Sequence, residues 1–358
     1  MRVDGQIYEV SLNIFERMYQ SFLSLTGSNY LSRLFQGKTV EPLDRASANK
    51  ITDRFDALVP QGSPHRSMAL HRAALNGDKD LMTELVSLGW DVDRTNPKTG
   101  RTALHWAAKK GQMDAVRTLL ELGCAVDKPD GDGKTALHYA TEYGQMDAVR
   151  TLLEHKAFIE ASDDHGRNAL HWAAWNGRTD AIEMFLDRKA SIRTRDKNGL
   201  TPLHFAAIGN HTATITKLVE LGCPLETKDN LGRTALYVAA HLGRLETITT
   251  LVKHGADPKA TNLSRTSPLH QAAKLGRLRV IKTLVENGAD PDAADLFGRR
   301  PLHSAATSGR IKAIRKLVEH GADLNATDGS GKTALDLATE AEKIRVMRVL
   351  EDLGKVSA

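Results

Sequence analysis

One spacing limits what this chain can fold into more than any other feature. The string TALHWAA at residues 102–108 returns, with small changes, to the end of the protein. Marked by its leucine, the copies fall at Leu70, Leu104, Leu137, Leu170, Leu203, Leu236, Leu269, Leu302 and Leu335, with one step of 34 residues and seven of 33. Self-similarity at a fixed period of about 20–50 residues marks a repeat array. In such an array each unit buries its apolar face against its neighbours, so no single large core is needed. Length alone, at 358 residues, would give two or three globular domains; the period overrides it.

The residues around each marker leucine say why the unit folds. Residues 130–133, DGDG, make a turn in which glycine is free to take positive φ. Thr135 can cap the next helix through its hydroxyl. Pro202, Pro268 and Pro301 take the following position in their repeats, where a missing N–H costs nothing. Paired alanines such as Ala107 and Ala108 keep this first helix thin. Gly111, Gly144, Gly177, Gly243, Gly276 and Gly309 read as its left-handed C-caps, with Asn210 as the next-best residue. A second helix then carries an apolar stripe, such as Val116, Leu119 and Leu120, and a further glycine such as Gly123 or Gly255 closes it. Residues 111–121 and 144–154 are the same string, GQMDAVRTLLE, as a helix used for stacking would be. Met68 in place of Thr and Glu342 in place of Gly fall in the first and last copies, as expected of capping units. Arg265 stands where other turns carry Gly, which predicts a distorted turn into the seventh repeat. The extra residue of the 34-residue step falls at residues 96–99, in a turn that tolerates insertion.

The chain is 41% hydrophobic, 26% charged and 5% aromatic, which suits a water-soluble helical array, and its net charge of +5 is too small to argue for nucleic acid by itself. Cys124 and Cys223 are the only cysteines. They occupy matching positions three repeats apart, on the order of 30 Å if stacked helices lie about 10 Å apart. That is beyond disulfide reach, so both read as small buried fillers in a reducing compartment. Asp4, Glu9 and Glu16 interrupt the N-terminus, which reads as neither a signal peptide nor an acid-poor presequence. No run of 18 apolar residues suggests a membrane span. The expected location is cytoplasmic, with the nucleus also open.

Residues 1–66 do not follow the period and read as an N-terminal appendage. Within it, residues 9–25 predict an amphipathic helix with Phe15, Met18, Tyr19, Phe22 and Leu25 on one face. A polar stretch with Pro42, Pro60, Gly62 and Pro64 then reads as a linker or strap. The helix is expected to cover the exposed face of the first repeat, as terminal units require. Partner binding, or self-association of an otherwise monomeric chain, is its second reading.

The chemistry sought is not found. Seven of fourteen histidines, among them His105, His138 and His270, follow the marker leucine; one per unit at one position implies a repeated hydrogen bond and no catalysis. There is no HExxH and no CxxC, so no metal is expected. ATDGSGKT at residues 326–333 imitates a phosphate loop, but Ala326 replaces the first glycine and no buried strand precedes it. No cofactor and no enzyme activity are expected.

A 33-residue period carrying T-P-L-H-x-A is the ankyrin signature, and residues 67–354 resemble the ankyrin-repeat family, leaving 355–358 as a short tail. The resemblance implies an all-α solenoid of nine helix–turn–helix pairs with projecting β-turn fingers. It also implies that first helices and fingers line a groove that grips a protein partner, with contacts five and six residues after each leucine and in the turn before it. Those positions are Lys109, Lys110, Glu142, Tyr143, Trp175, Asn176, Ile208, His241, Leu242, Lys274 and Leu275, with Leu200, Leu231, Leu263, Leu296 and Phe297 in the turns. Trp106, Tyr139, Trp172 and Phe205 recur two residues after the leucine; packing between repeats and partner contact are both open to them. The expected function is a scaffold, adaptor or inhibitor.

A second candidate surface is basic. Residues 253–320 hold thirteen Lys/Arg against six Asp/Glu, many on the second helices of repeats seven and eight: Arg277, Arg279, Lys282, Arg310, Lys312, Arg315 and Lys316. An ordinary solvated face competes here with a site for an acidic partner or anionic lipid, and nucleic acid ranks last. Asn325 is the only Asn at its repeat position. In cytosolic ankyrin arrays such an Asn is sometimes hydroxylated, and a turn-stabilising role competes with that candidate modification.

Overall fold

The computed structural model describes residues 68–357 apart from residue 88. The expected helix at 9–25 and its linker lie outside the described residues. Among the described residues all regular structure is helical, eighteen helices and no strand, in two compact units that divide between Phe158 and Ile159.

In the first unit, α1 (Ala69–Asn76), α3 (Ala103–Lys110) and α5 (Ala136–Tyr143) stack in one layer, and α2 (Lys79–Ser87), α4 (Met113–Glu121) and α6 (Met146–Glu154) in a second. The second unit repeats the plan. Its first-helix layer is α7 (Ala169–Trp175), α9 (Pro202–Gly209), α11 (Ala235–Leu242), α13 (Pro268–Leu275), α15 (Pro301–Thr307) and α17 (Ala334–Glu340). Its second-helix layer is α8 (Thr179–Asp187), α10 (Thr212–Glu220), α12 (Leu245–Lys253), α14 (Leu278–Glu286), α16 (Ile311–Glu319) and α18 (Ile344–Ser357). Each unit is therefore an α-solenoid of helix pairs. Its core is the run of marker leucines and paired alanines, all buried except Leu335.

The caps follow from local chemistry. At the start of α3 the Thr102 N–H donates to His105 Nδ1 at 3.0 Å, and the Thr102 hydroxyl lies 2.8 Å from the same nitrogen. With Nδ1 accepting, the proton of the neutral ring sits on Nε2, which donates to the Lys134 carbonyl of the next repeat at 2.9 Å. His204 and His270 make the same pair of contacts, to Arg233 and Arg299. One side chain thus caps its own helix and bonds the next repeat, which explains a histidine per unit without catalysis. His71 shows the cost of the missing threonine at Met68: its Nε2 finds the Arg101 carbonyl, but its buried Nδ1 has no partner.

The fingers are built on an aspartate. Asp229 Oδ1 accepts from the Leu231 and Arg233 N–H groups, and the turn closes through Asp229 N–H to the Arg233 carbonyl at 2.9 Å. Successive fingers touch, with the Leu263 N–H donating to the Leu231 carbonyl at 3.1 Å. Gly232 is required there: at φ +76° a Cβ would lie 2.6 Å from the Leu263 nitrogen. The distortion expected at Arg265 does not occur. Arg265 takes φ +57°, and Asn262 replaces the aspartate while accepting from the same two backbone positions, at Ser264 and Thr266. The side-chain amide restores the turn that glycine would have eased.

A further staple recurs near the end of five of the pairs. Asp93, Asp127, Glu160, Glu226 and Asp292 each accept the backbone N–H that opens the corresponding loop one repeat later, at Ala125, Phe158, Ser191, Asp257 and Asp323. Where the acid is replaced by Arg193, the residue one repeat later is Pro224, which has no N–H to satisfy. Both cysteines are free. Cys223 is buried, whereas Cys124 is only half-buried; burial pushes the Cys223 thiol up to about 11 and the Cys124 thiol up to about 12, away from thiolate chemistry.

Candidate functional site

Of the four residues open to packing or partner contact, two candidate contacts are packed inside the array. Tyr139 is buried at 2% exposure and donates its hydroxyl proton to Asp130 Oδ2 at 2.7 Å. Trp172 is buried at 7% and donates its indole N–H to Asp163 Oδ2 at 3.1 Å. Both rings point back to the aspartate of their own finger, tying helix to turn, and leave no face for a partner. Phe205, at the same repeat position, is buried too, and Trp106 alone of the four is half-buried. The turn carboxylates feel this. Burial by itself would raise the Asp130 carboxyl, but the hydrogen bonds from Tyr139 and from the Asp132 and Lys134 N–H groups outweigh it and hold the group below the usual carboxylate range.

In the first unit the remaining residues form one cluster on α3 and α5. Lys109 Nζ lies 4.7 Å from the Tyr143 ring centroid and 5.6 Å from that of Trp106. A cation held between two rings is favourable, and it keeps Tyr143, 44% exposed, in place. Lys110 is exposed beside it. Glu142 is taken by an ion pair with Lys134 at 2.9 Å.

In the second unit Trp175 is half-buried, stacked on Trp172 with centroids 5.3 Å apart and tilted against Phe205 at 5.5 Å. The Arg167 guanidinium lies 4.5 Å from the Trp172 ring and 5.6 Å from that of Trp175. Trp175 remains partly accessible while its ring is braced by these three neighbours. Ile208, Leu242 and Leu275 are half-buried along the same layer, and His241 and Lys274 are exposed. The finger tips are more open. Leu231, Leu263, Leu296 and Phe297 are 57%, 71%, 60% and 66% exposed on three successive fingers, whereas Leu200 is half-buried. The contacts from Leu263 N–H to Leu231 and from Leu296 N–H to Ser264 hold these tips side by side. The result is an apolar ridge with no intramolecular reason to be apolar.

The basic residues separate into two groups. Arg277 Nε donates to the His241 carbonyl at 3.1 Å, and Arg310 Nε to the Lys274 carbonyl at 3.2 Å. Each fills the role that Gln112 plays toward the Leu75 carbonyl in the first unit. These two arginines bridge repeats and are withdrawn from the expected basic face, and Lys316 pairs with Glu319 at 2.7 Å. Arg279, Lys312 and Arg315 are exposed with no ion pair or hydrogen bond among the described residues, and Lys282 has only Glu286 at 3.7 Å. Asn325 is exposed, and the turn around it is held by the Asp323 carboxylate, which accepts the Asn325 backbone N–H. Among the described residues no group of three or more His, Cys, Asp or Glu is placed to hold a metal, and no helix is long and apolar enough to cross a membrane.

Compared with known proteins, the chain matches the family model described as ankyrin repeats (3 copies) in segments at 43–130, 70–163, 122–196, 170–262 and 265–356, the first four overlapping in turn. The first segment begins inside the stretch whose sequence lacks the marker string. No curated protein matches the chain. A family model matching well over half of the residues, on a stack of helix pairs with left-handed caps and aspartate-based fingers, means that the chain belongs to the ankyrin-repeat family.

Proposed function

We propose that this protein is a non-catalytic interaction module that holds a protein or peptide partner against the fingers and first helices of its second unit. Ankyrin repeats are generally protein–protein interaction modules. The observation that carries the more specific reading is the exposure of Leu231, Leu263, Leu296 and Phe297 on adjacent fingers. Ordering four large apolar side chains in water contributes nothing to the fold, while covering them with a partner removes apolar surface at about 25 cal/mol per Å². Trp175, with Ile208 and Leu242 on the neighbouring first helices, extends the same partner-facing surface inward. Aromatic anchors of this kind dominate interface energetics.

The test is affinity purification with mass spectrometry on the full chain and on a Leu263→Ser/Leu296→Ser/Phe297→Ser variant. The expected result is loss of the main partner with an unchanged circular dichroism spectrum and melting curve. A partner set identical for the two proteins would remove the ridge as the docking surface.

A further inference from the structure

The first turn of every second helix except α10, which has Ala213 there, carries a charge whose sign changes along the chain. At equivalent positions it is acidic in Asp80, Asp114, Asp147, Asp180 and Glu246, and basic in Arg279, Lys312 and Arg345. The positive end of the helix dipole favours acids at that position and disfavours cations. The acidic copies are what fold stability selects; the basic copies act against it.

Three residues on, a second row of cations follows at Lys282, Arg315 and Arg348. Helix α14 packs beside α16, and α16 beside α18, so the rows lie on adjacent helices. All six side chains are exposed, and among the described residues only Lys282 has an ion-pair partner. Ile344 is 62% exposed at the start of α18, and Ile311 half-buried at the same position of α16. A shallow recess of ≈ 240 Å³, lined by Leu275, Gly276, Arg310, Ile311, Lys312 and Ala313, opens between the seventh and eighth repeats.

We propose that Arg279, Lys282, Lys312, Arg315, Arg345 and Arg348 form a ladder that docks an acidic, amphipathic peptide segment of a protein partner. Charge complementarity sets the acidity. The strip is narrow, because the exposed carboxylates Glu286, Glu319 and Asp352 follow four residues after the second row of cations, Glu286 within 3.7 Å of Lys282. Those carboxylates would oppose a broad anionic membrane, whereas they border a linear segment along one side only. The three helices carry no aromatic side chain on which bases could stack, which disfavours single-stranded nucleic acid. Exposed Ile344 and the recess beside Ile311 give the apolar side chains of such a segment a seat. Adjacent helices about 10 Å apart match the roughly 10 Å rise of seven residues of α-helix. A helical ligand with acids repeating at that interval would meet all three helices within about fifteen residues.

The full-length chain is titrated into a fluorescein-labelled peptide of about fifteen residues, with glutamates in two rows and leucine on the face between them, and anisotropy is followed at low salt. Parallel titrations use phosphatidylserine–phosphatidylcholine vesicles and oligo-dT. The expected result is saturable peptide binding, tighter than to vesicles or oligo-dT, that weakens at least about tenfold in Arg279→Glu/Lys312→Glu/Arg345→Glu. The melting temperature of that variant stays the same or rises, since the reversed charges suit the helix dipole. A Lys282→Ala/Arg315→Ala/Arg348→Ala variant, which touches no first turn, loses binding as well. Peptide affinity unchanged in both variants, absence of peptide binding, or tighter binding to vesicles or oligo-dT would each overturn the proposal.

Discussion

Trp172 and Trp175 stack with ring centroids 5.3 Å apart and planes 20° from parallel, one ring buried and the other half-exposed. Trp172 is fixed from behind by its hydrogen bond to Asp163, so the finger of their own repeat also backs the half-buried Trp175 ring.

Replacing Trp172 with Phe keeps an aromatic ring beneath Trp175 but removes the only indole donor to a carboxylate whose side chain is fully buried. The expected loss is about 1–3 kcal/mol, the cost of a weakened buried acceptor, seen as a lower urea midpoint. Trp175→Ala removes a half-exposed ring and is expected to cost less. Equal losses in the two variants would refute the division of roles between the rings.

Acid should unfold the protein early. Burial holds His71, His105, His204, His270 and His303 below the ordinary imidazole value, His71 down to about 4. A histidine whose folded pKa is depressed contributes no loss above its unfolded value of about 6.5. As the pH falls below that value, the unfolded chain binds protons that the folded chain refuses. Stability therefore drops from about pH 6.5 downward, by about 1.4 kcal/mol per pH unit for each proton of difference. Urea midpoints measured between neutral and mildly acid pH should decline steadily, before the turn aspartates begin to protonate. A flat profile over that range would falsify the neutral state of these rings at mildly acid pH.

The carboxylate staple predicts opposite outcomes at two equivalent positions. Lys259→Glu would place an acceptor opposite the Asp290 N–H, in the arrangement that Asp292 already makes with Asp323. It is expected to stabilise by about 0.5–1.5 kcal/mol. Arg193→Glu would face Pro224 and gain nothing from the same change. Thermal melts of the two variants check the contrast; a gain at Arg193 as large as at Lys259 would contradict it.

Arg265 holds a left-handed φ of +57° that a side chain rarely adopts. Arg265→Gly is expected to raise stability by up to about 1 kcal/mol, since the relieved strain outweighs the added freedom of the unfolded chain. A lower melting temperature would mean that the exposed Arg265 side chain makes a contact worth more than the strain.

Features set by chemical groups a few residues apart were legible in the sequence. The marker leucines, Thr102 and its equivalents as caps, Pro202 at a first helical position and Gly111 in the left-handed region all lie within one turn of what they act on. The histidines were also legible as structural, because a residue repeated at one position in seven units cannot serve one site. The turn residues Leu231, Leu263, Leu296 and Phe297 were legible through the family resemblance, and the structure finds all four exposed.

What only the tertiary structure decided is which of several similar residues faces outward. Tyr139 and Tyr143 lie one helical turn apart, yet the aspartate of the finger turns one inward and leaves the other in water. Arg277 and Arg279 lie two residues apart, yet Arg277 is drawn onto the carbonyl of His241, thirty-six residues earlier, while Arg279 is left free among the described residues. Sequence determined the helix pair, because caps, turns and apolar periods act locally. Which side chains face outward depended on partners nine to thirty-six residues away, since a side chain's direction is set by the donors and acceptors that the fold brings within about 3 Å of it.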